Sequence, residues 1–151
     1  MDDPLRILVA KDEIVDVMNS LFVYTDRRDW TAVRDCFAPT VLFDMSSSGG
    51  GRPAERTVDA IVAGWEEGLR GVEQIHHQAG NYRVQVNGDT AEAFCYGTAT
   101  HFRRTASGRN VRTFVGSYDF GLERIAERWR IRRFRFVLKY MDGNLELERD
   151  E

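Results

Sequence analysis

Asp26, His77 and His101 are the side chains in this sequence that could together transfer a proton. Asp26 ends a stretch with helical hydrophobic spacing, and the two histidines lie in successive strand-like segments. A carboxylate bonded to one imidazole nitrogen fixes the tautomer and raises the basicity of the other nitrogen. We therefore predict a histidine–aspartate general base, against the alternative that each histidine only packs in the core.

His76 and His77 are neighbours on one strand, so their side chains point to opposite faces. Simple alternation with Val84 and Val86 places His76 toward the core, whereas a bulge at Gly80 would switch the phase and turn His77 inward. The pattern leaves both assignments open. Because two consecutive strand residues cannot both reach one ion, we predict that the protein binds no metal.

The N-terminal third of the chain has the spacing of two helices. Residues 1–10 are expected to be an arm or a short turn, and 11–25 a helix with one apolar stripe. Asp29 has the position of an N-cap for a second helix, which Pro39 should end. A short strand is expected at 41–45.

The remainder changes from loop to helix to strands. Residues 46–56, rich in serine and glycine, predict a flexible loop, and Thr57 has the position of an N-cap for a third helix. Asn87 and Gly88 indicate a two-residue hairpin turn. Four long antiparallel strands are expected at 72–86, 90–103, 111–122 and 129–140. The acidic tail, 141–151, is expected to fray or to lie over the surface.

The second long strand has two contrasting faces. One face carries small residues and a histidine: Ala91, Ala93, Cys95, Gly97, Ala99 and His101. Small side chains beneath a helical layer leave space for a pocket, although close helix–sheet packing would also explain them. The other face carries Phe94, Tyr96 and Phe102, which predicts a homodimer or a higher oligomer formed through the sheet. The element order predicts an α+β domain.

Composition excludes several classes of protein. The 151 residues suit one domain, and 42% apolar content argues against general disorder. A net charge of −3 gives no general attraction to nucleic acid, and no apolar run is long enough to cross a membrane. The N-terminus does not have the pattern of a signal peptide, so a cytoplasmic location is expected. Cys36 and Cys95 are expected to be buried free thiols.

Short motifs near the first helix end carry a family resemblance. DRRDW at 26–30, FAPT at 37–40 and a strand ending in Asp44 resemble the NTF2-like superfamily, in its SnoaL-like and scytalone dehydratase branch. The resemblance spans roughly residues 13–140. It implies a cone-shaped fold, in which a curved antiparallel sheet wraps over three helices around an interior pocket.

The resemblance also assigns expected roles. Asp26 would support the catalytic His77, with His101 as a second catalytic histidine. Two substrate-holding tyrosines of scytalone dehydratase correspond to Thr25 and Met45, and its polar serine and asparagine correspond to Gly116 and Tyr118. The substrate itself should therefore differ from scytalone. The residues expected to contact substrate are Tyr24, Thr25, Met45, Trp65 and Tyr118.

The expected function is that of a cofactor-independent dehydratase or related lyase acting on a cyclic or polyketide-like carbonyl compound. His77 would remove the proton next to the carbonyl, and His101 would bond the leaving hydroxyl or the developing enolate. An isomerase or a polyketide cyclase would begin with the same proton transfer. Two rival functions are a module that binds a small molecule without converting it, and a dimerisation domain.

Overall fold

Three helices and a six-stranded sheet form the fold in the computed structural model, which describes residues 3–151. The elements are α1 (Pro4–Asp26), α2 (Trp30–Asp35), β1 (Phe37–Asp44), β2 (Ala54–Thr57), α3 (Val58–Gly68), β3 (Gln74–Asn87), β4 (Thr90–Phe102), β5 (Val111–Ile125) and β6 (Arg128–Gly143). The strand order is β2-β1-β6-β5-β4-β3. The α+β class, with a curved sheet over three helices, is confirmed.

Helix α1 begins earlier than its hydrophobic pattern predicts. The Asp3 side chain accepts a hydrogen bond from the Leu5 N–H (3.1 Å), and Pro4 occupies the first turn, where no N–H is needed. The arm expected over 1–10 is therefore wrong for residues 4–10, while residues 1 and 2 lie outside the described part. Leu5 is 66% exposed, so this first part of the helix has no buried stripe for a pattern to detect.

Helix α2 is capped as expected but ends sooner. Asp29 accepts from the Ala32 N–H (3.2 Å), which confirms it as the N-cap. The expectation that Pro39 ends α2 is wrong, because the helix stops at Asp35 and Pro39 lies inside β1. The Cys36 carbonyl accepts from the Ile131 N–H (2.8 Å), which draws the chain alongside β6.

The pairing of β1 with β6 is parallel, so the expectation of a wholly antiparallel sheet is wrong for this pair. The four long strands β3 to β6 are antiparallel as predicted. The β1–β6 register shifts between Phe37 and Leu42, and Pro39 lies in that irregular part. The missing N–H of proline therefore removes no regular ladder bond.

The segment 46–56, expected to be a loop, contains regular secondary structure. Ser46–Ser48 forms a 3₁₀ turn, with Asp44 accepting from the Ser46 N–H (2.9 Å) and hydroxyl (2.6 Å). These bonds lower the pKa of Asp44. Strand β2 covers the end of the segment and pairs with β1, although all four of its residues are exposed. The flexibility of 46–56 stays a prediction.

Strand β3 contains the bulge that decides which histidine points inward. Gly80 pairs with Tyr96 and Arg83 pairs with Phe94, so two residues of β3 lie opposite Cys95. Asn81, one of these two residues, has a positive φ of 58°. The β3–β4 hairpin follows at residues 88–89, one position beyond the predicted turn.

The small-residue face of β4 is turned into the hydrophobic core. Ala91, Ala93, Cys95 and Ala99 are each at most 7% exposed, which agrees with the predicted inward row. Cys95 is a free thiol, as is the buried Cys36, and burial raises the pKa of each to about 12. The described chain therefore uses its cysteines as small apolar side chains.

We predict that Gly97→Ala destabilises the fold by about 1–3 kcal/mol, because overpacking forces neighbours to move. A Cβ at Gly97 would lie only 2.3 Å from the Tyr118 ring. Gly80→Ala is the matched control, since no heavy atom lies within 4 Å of its added Cβ. Urea unfolding of both variants measures the difference. Equal free energies of unfolding for the two variants would contradict the prediction, because the added Cβ would then cost nothing.

The outer face of β4 is aromatic, as expected for a surface that pairs with a second copy. The Phe94 and Tyr96 rings meet edge to face with centroids 5.3 Å apart, and Tyr96 is 45% exposed. The Lys139 ammonium lies 4.0 Å from the Tyr96 ring centroid. The homodimer stays a prediction.

Across residues 3–151, the helices lack an apolar stretch of the length needed to cross a membrane.

The C-terminal tail is partly a strand and partly a docked turn. Residues 141–143 belong to β6, and Leu147–Arg149 forms a 3₁₀ turn. Leu147 is fully buried and Asn144 is 5% exposed. The expected tail over 141–151 is therefore wrong for residues 141–143, and the segment after them is docked on the domain.

Candidate active site

A cavity of about 250 Å³ lies between α1, α3 and the concave face of the sheet. Apolar and aromatic side chains dominate its wall, and few polar groups reach it. The lining includes Leu21, Phe22, Thr25, Met45, Ser48, Trp65, Leu69, His77, Ala99, His101, Phe114, Tyr118, Phe134 and Phe136. An apolar pocket with a few convergent polar groups is typical of a small-molecule site.

Asp26 and His77 form a close pair at the edge of this cavity. Asp26 is the last residue of α1, and one of its oxygens lies 2.5 Å from His77 Nδ1. Its other oxygen accepts from the His77 backbone N–H (2.9 Å), so the carboxylate is anchored to β3 at two points. The two side chains are 19% and 15% exposed. The Phe22 ring stacks on the imidazole with a centroid distance of 5.4 Å.

The contact with Asp26 determines which nitrogen of His77 is available. A carboxylate only accepts hydrogen bonds, so Nδ1 carries the proton and donates it to Asp26. In neutral His77 the lone pair is then on Nε2, which has no hydrogen-bond partner among residues 3–151. The bulge after Gly80 places His77 inward and leaves His76 exposed, which decides between the two assignments that the sequence allows.

His101 lines the same cavity but has a different partner. The Arg112 Nη2 lies 3.0 Å from His101 Nδ1. A guanidinium has no acceptor, so Nδ1 of His101 must accept and Nε2 must carry the proton. Burial, followed by the nearby Arg112 and His77, lowers the pKa of His101 to about 4. Near neutral pH, His101 is therefore an uncharged N–H donor.

We predict that His101 makes the fold acid-sensitive. Its pKa is near 6.5 in an unfolded chain and about 4 in the fold, so below pH 6.5 the unfolded state binds the proton more readily. The free energy of unfolding should fall by up to about 3 kcal/mol as pH drops from 6.5 to 4. Arg112, His77, Glu148 and Asp26 are the charged or titratable groups that act on it.

The measurement is urea unfolding across this pH range for the wild type and for His101→Gln. The carboxylates titrate in both proteins, so the difference between the two curves isolates the histidine. His76→Gln serves as the control, because His76 is exposed on the opposite face of β3. Parallel pH profiles for the wild type and His101→Gln would contradict the prediction.

Four of the residues expected to contact substrate line the cavity. They are Thr25, Met45, Trp65 and Tyr118. The Thr25 hydroxyl donates to the Leu21 carbonyl (2.7 Å), so its methyl group is the part available to a ligand. The Tyr118 hydroxyl has no hydrogen-bond partner among the described residues, and burial raises its pKa above the ordinary value. Tyr118 therefore keeps its proton and can donate it to a bound oxygen.

Tyr24 does not line this cavity, so its expected contact with substrate is a correction. One helical position separates it from Thr25, which turns it by about 100° around α1. It lies instead in a polar groove on the other side of the helix, with Asp16, Cys36 and Arg128. The tyrosines of the family pattern thus have no counterpart in the wall next to Asp26.

Two arginines, Arg112 and Arg28, contribute to the site, although the sequence pattern predicted a role for neither. Arg112 pairs with His101 across β4 and β5, and counting outward from the connection between these two strands would have suggested that contact. Arg28 donates to the Leu69 carbonyl (3.2 Å) and to the Val72 carbonyl. It thereby ties the end of α1 to the segment that closes the cavity after α3.

No group of three or more His, Cys, Asp or Glu side chains suited to a metal ion occurs within residues 3–151. The two inward histidines are instead held by Asp26 and Arg112. These contacts leave His77 Nε2 without a hydrogen-bond partner among residues 3–151, and they leave His101 and Tyr118 as hydrogen-bond donors beside an apolar space.

Residues 6–135 match the family model of the SnoaL-like domain. Among curated proteins, none matches the chain. The solved structure of Kfla4162 from Kribbella flavida has a TM-score of 0.86 at 21% identity, over 91% of this chain and 95% of that one.

Two further solved structures share this fold. A type 2 hexachlorocyclohexane dehydrochlorinase, LinA, has a TM-score of 0.79 at 13% identity, over 94% of this chain and 93% of that one. A protein provisionally named scytalone dehydratase, from Novosphingobium aromaticivorans, has a TM-score of 0.77 at 16% identity, over 91% and 89%. At these identities the likeness shows the shared fold.

Proposed function

Because the chain belongs to the SnoaL-like domain family, we propose that it is a cofactor-independent lyase that removes water from a small cyclic carbonyl compound. The observation that carries the proposal is the Asp26–His77 pair at the wall of an apolar cavity. A protein that only bound a ligand would gain nothing from orienting a base. A dimerisation domain would have no need to keep the cavity open.

The proposed reaction begins with proton removal. His77 Nε2 takes a proton from the carbon next to the carbonyl, and the electron pair of that C–H bond forms an enolate. Asp26 stabilises the imidazolium through Nδ1–H. The enolate then re-forms the carbonyl and expels the hydroxyl from the neighbouring carbon, while the proton on His77 passes to the hydroxyl to give water.

The developing negative charge needs donors on the carbonyl side. His101 Nε2–H and the Tyr118 hydroxyl are two uncharged donors of the cavity wall, and both keep their protons near neutral pH. Donors fixed in a mostly apolar site stabilise an enolate more than they would in water. This arrangement supports different roles for the two histidines, with His77 as the base and His101 as a hydrogen-bond donor.

The wall suggests a flat, apolar substrate. Four phenylalanines line the space: Phe22, Phe114, Phe134 and Phe136. A Cβ at Gly116 would lie 2.8 Å from the Phe136 ring, so this ring fills the region beside β5. Bicyclic aromatic ketones of the polyketide type fit this lining. An isomerase or cyclase would use the same first step and differ only in what the enolate does next.

A second candidate is elimination of hydrogen chloride from a chlorinated ring. One structural neighbour is named as a hexachlorocyclohexane dehydrochlorinase, and that elimination also needs a base opposite a leaving group. The apolar lining of the cavity favours such a substrate, since chlorine needs little hydrogen bonding. The Tyr118 and His101 donors favour the carbonyl substrate, because an enolate oxygen uses them and a chlorinated ring does not.

The test is a panel assay with β-hydroxy cyclic ketones in one arm and chlorinated cyclohexanes in the other. Loss of water is followed by the ultraviolet absorbance of the conjugated enone, and loss of chloride by a chloride electrode. We expect turnover of a bicyclic hydroxyketone by the wild type and none by His77→Ala. Turnover confined to the chlorinated arm would favour the second candidate, and equal rates in both proteins would overturn both.

A further inference from the structure

Glu148, in the C-terminal 3₁₀ turn, accepts hydrogen bonds from Arg112 with both carboxylate oxygens. Arg112 Nη2 lies 2.5 Å from Oε1 and Nη1 lies 2.8 Å from Oε2. The Arg112 side chain is 12% exposed and that of Glu148 is 35% exposed. The same Nη2 reaches His101 Nδ1 at 3.0 Å. A continuous chain of contacts therefore runs from the tail to a cavity-lining histidine.

The turn that carries Glu148 is fixed by its own contacts. Leu147 is fully buried beside it, and the Glu148 carbonyl accepts from Arg103 Nη1 (2.8 Å). Asn144 donates to the Arg109 carbonyl (2.8 Å), and Asp150 accepts from the Ser107 N–H (3.2 Å). These bonds join the tail to the β4–β5 connection. Glu148 is thus placed by the fold rather than by its ion pair alone.

Arg112 has few other partners to direct it. Its Nε is buried with no hydrogen-bond partner among the described residues, so its hydrogen bonds are those of the two Nη groups. The guanidinium carbon also lies 5.4 Å from the centroid of the Phe114 ring. A partly buried guanidinium without a carboxylate would be costly and would seek solvent. The Glu148 carboxylate, bonded through both oxygens, compensates the positive charge of Arg112. It also fixes the plane of the guanidinium, so that one N–H points at His101. Arg112 hydrogen bonding lowers the pKa of Glu148, so the pair stays charged at neutral pH.

We propose that Arg112 and Glu148 are positioning residues that hold His101 in its Nε2–H tautomer, so that the C-terminal turn is a working part of the active site. A histidine without a fixed partner at Nδ1 exchanges between two tautomers, and only one of them presents a donor to the cavity. The catalytic consequence rests on the proposed lyase function. The tautomer itself can be measured without any substrate.

The experiment is imidazole nitrogen NMR on the ¹⁵N-labelled full chain, with signals assigned through His76→Gln and His77→Gln. In the wild type, we expect His101 to show a protonated Nε2 and an unprotonated Nδ1. Arg112→Met should raise the Nδ1–H fraction at least tenfold and raise the pH at which His101 takes up a proton. Glu148→Ala should also raise the Nδ1–H fraction, because Arg112 loses the carboxylate that orients it. It should not raise the pH of proton uptake, because the Glu148 charge acts to raise the pKa of His101. Glu148→Gln keeps an acceptor oxygen for Arg112 and should largely restore the wild-type tautomer.

Glu146→Ala is the matched control. Glu146 lies at the start of the same turn, but its carboxylate is 67% exposed and bonds only Arg149. His101 signals should not change in this variant. If Arg112→Met fails to fold by circular dichroism, Glu148→Ala carries the test alone. An unchanged His101 tautomer in folded Arg112→Met or Glu148→Ala protein would overturn the proposal and leave the pair as a tail anchor.

Activity separates this inference from the proposed function. With a substrate from the panel, Arg112→Met should lower kcat about tenfold with little change in KM, since an enolate donor acts on the transition state. If the tautomer changes as expected but no variant or wild type eliminates water, the proposed function fails while the positioning role stands. If the wild type is active and the variant keeps its kcat, the positioning has no catalytic effect and that part of the inference is wrong.

Discussion

His77→Ala should lower turnover by at least 10²–10⁴-fold, the usual contribution of a general base. Its side chain is 15% exposed and its ring packs mainly on Phe22, so the loss of the imidazole should affect the reaction far more than the fold. The measurement is the initial rate on the best substrate of the panel, with thermal unfolding recorded alongside. A melting temperature near that of the wild type makes the rate interpretable.

His76→Ala is the control for this substitution. It removes the same functional group from the adjacent residue, but His76 is exposed on the outer face of β3. The rate should stay within about twofold of the wild type. A full rate for His77→Ala, or an equal loss in both variants, would show that the inward histidine is not the base.

Asp26→Asn should also lower turnover by roughly 10²–10⁴-fold, through the tautomer of His77. Asparagine can keep its oxygen on the His77 backbone N–H, which Asp26 Oδ2 accepts at 2.9 Å. Its amide N–H₂ then faces Nδ1 where a carboxylate oxygen lay at 2.5 Å. An amide donor forces Nδ1 to accept, so the proton moves to Nε2 and the cavity loses its base. Initial rates and the His77 nitrogen NMR signals measure the two effects together.

Asp29→Asn makes the same chemical change three residues away. Asp29 caps α2 through the Ala32 N–H, and asparagine caps helices about as well as aspartate. We expect a near-normal rate and a change in stability below about 0.5 kcal/mol. A comparable loss of activity in Asp29→Asn would mean that the segment 26–30 acts through local folding and not through the His77 contact.

The inward orientation of His77 could be anticipated from sequence only as one of two assignments. Gly80 signalled a possible bulge, because glycine within a strand often marks one, but alternation alone favoured His76. The structure places the bulge at residues 81 and 82, which lie opposite the single residue Cys95. Asn81 adopts a left-handed conformation that asparagine tolerates better than most residues. Asn81 was therefore a second local signal of the phase change.

Several further features depend on contacts that no local pattern encodes. Strand β2 is short and wholly exposed, so it has no alternation to detect and exists through its pairing with β1. The parallel β1–β6 pair joins residues about ninety positions apart. The Arg112–Glu148 contact likewise depends on how the tail docks. Sequence could supply the helical caps Asp29 and Thr57, because a cap acts within one turn.

The cavity explains why the family pattern was an incomplete guide to substrate contacts. Thr25 and Met45 occupy the wall as expected, yet neither offers a free hydroxyl, since the Thr25 hydroxyl is used by the Leu21 carbonyl. The donors that reach the space are instead His101 and Tyr118, from β4 and β5. The donors of the wall thus lie on the sheet, and the proposed base, His77 on β3, is tied to the end of α1 through Asp26.

The central claim is that His77 removes a proton from carbon in this cavity, and deuterium exchange tests it most directly. A bicyclic aromatic ketone such as α-tetralone is incubated with the protein in D₂O, and loss of the proton signal next to the carbonyl is followed by NMR. This ketone has no leaving group, so the readout reports the first step alone. We predict exchange faster than in buffer with the wild type and His76→Ala, and exchange at the buffer rate with His77→Ala. Wild-type exchange rates in His77→Ala, or no acceleration by wild-type protein saturated with the ketone, would contradict the account.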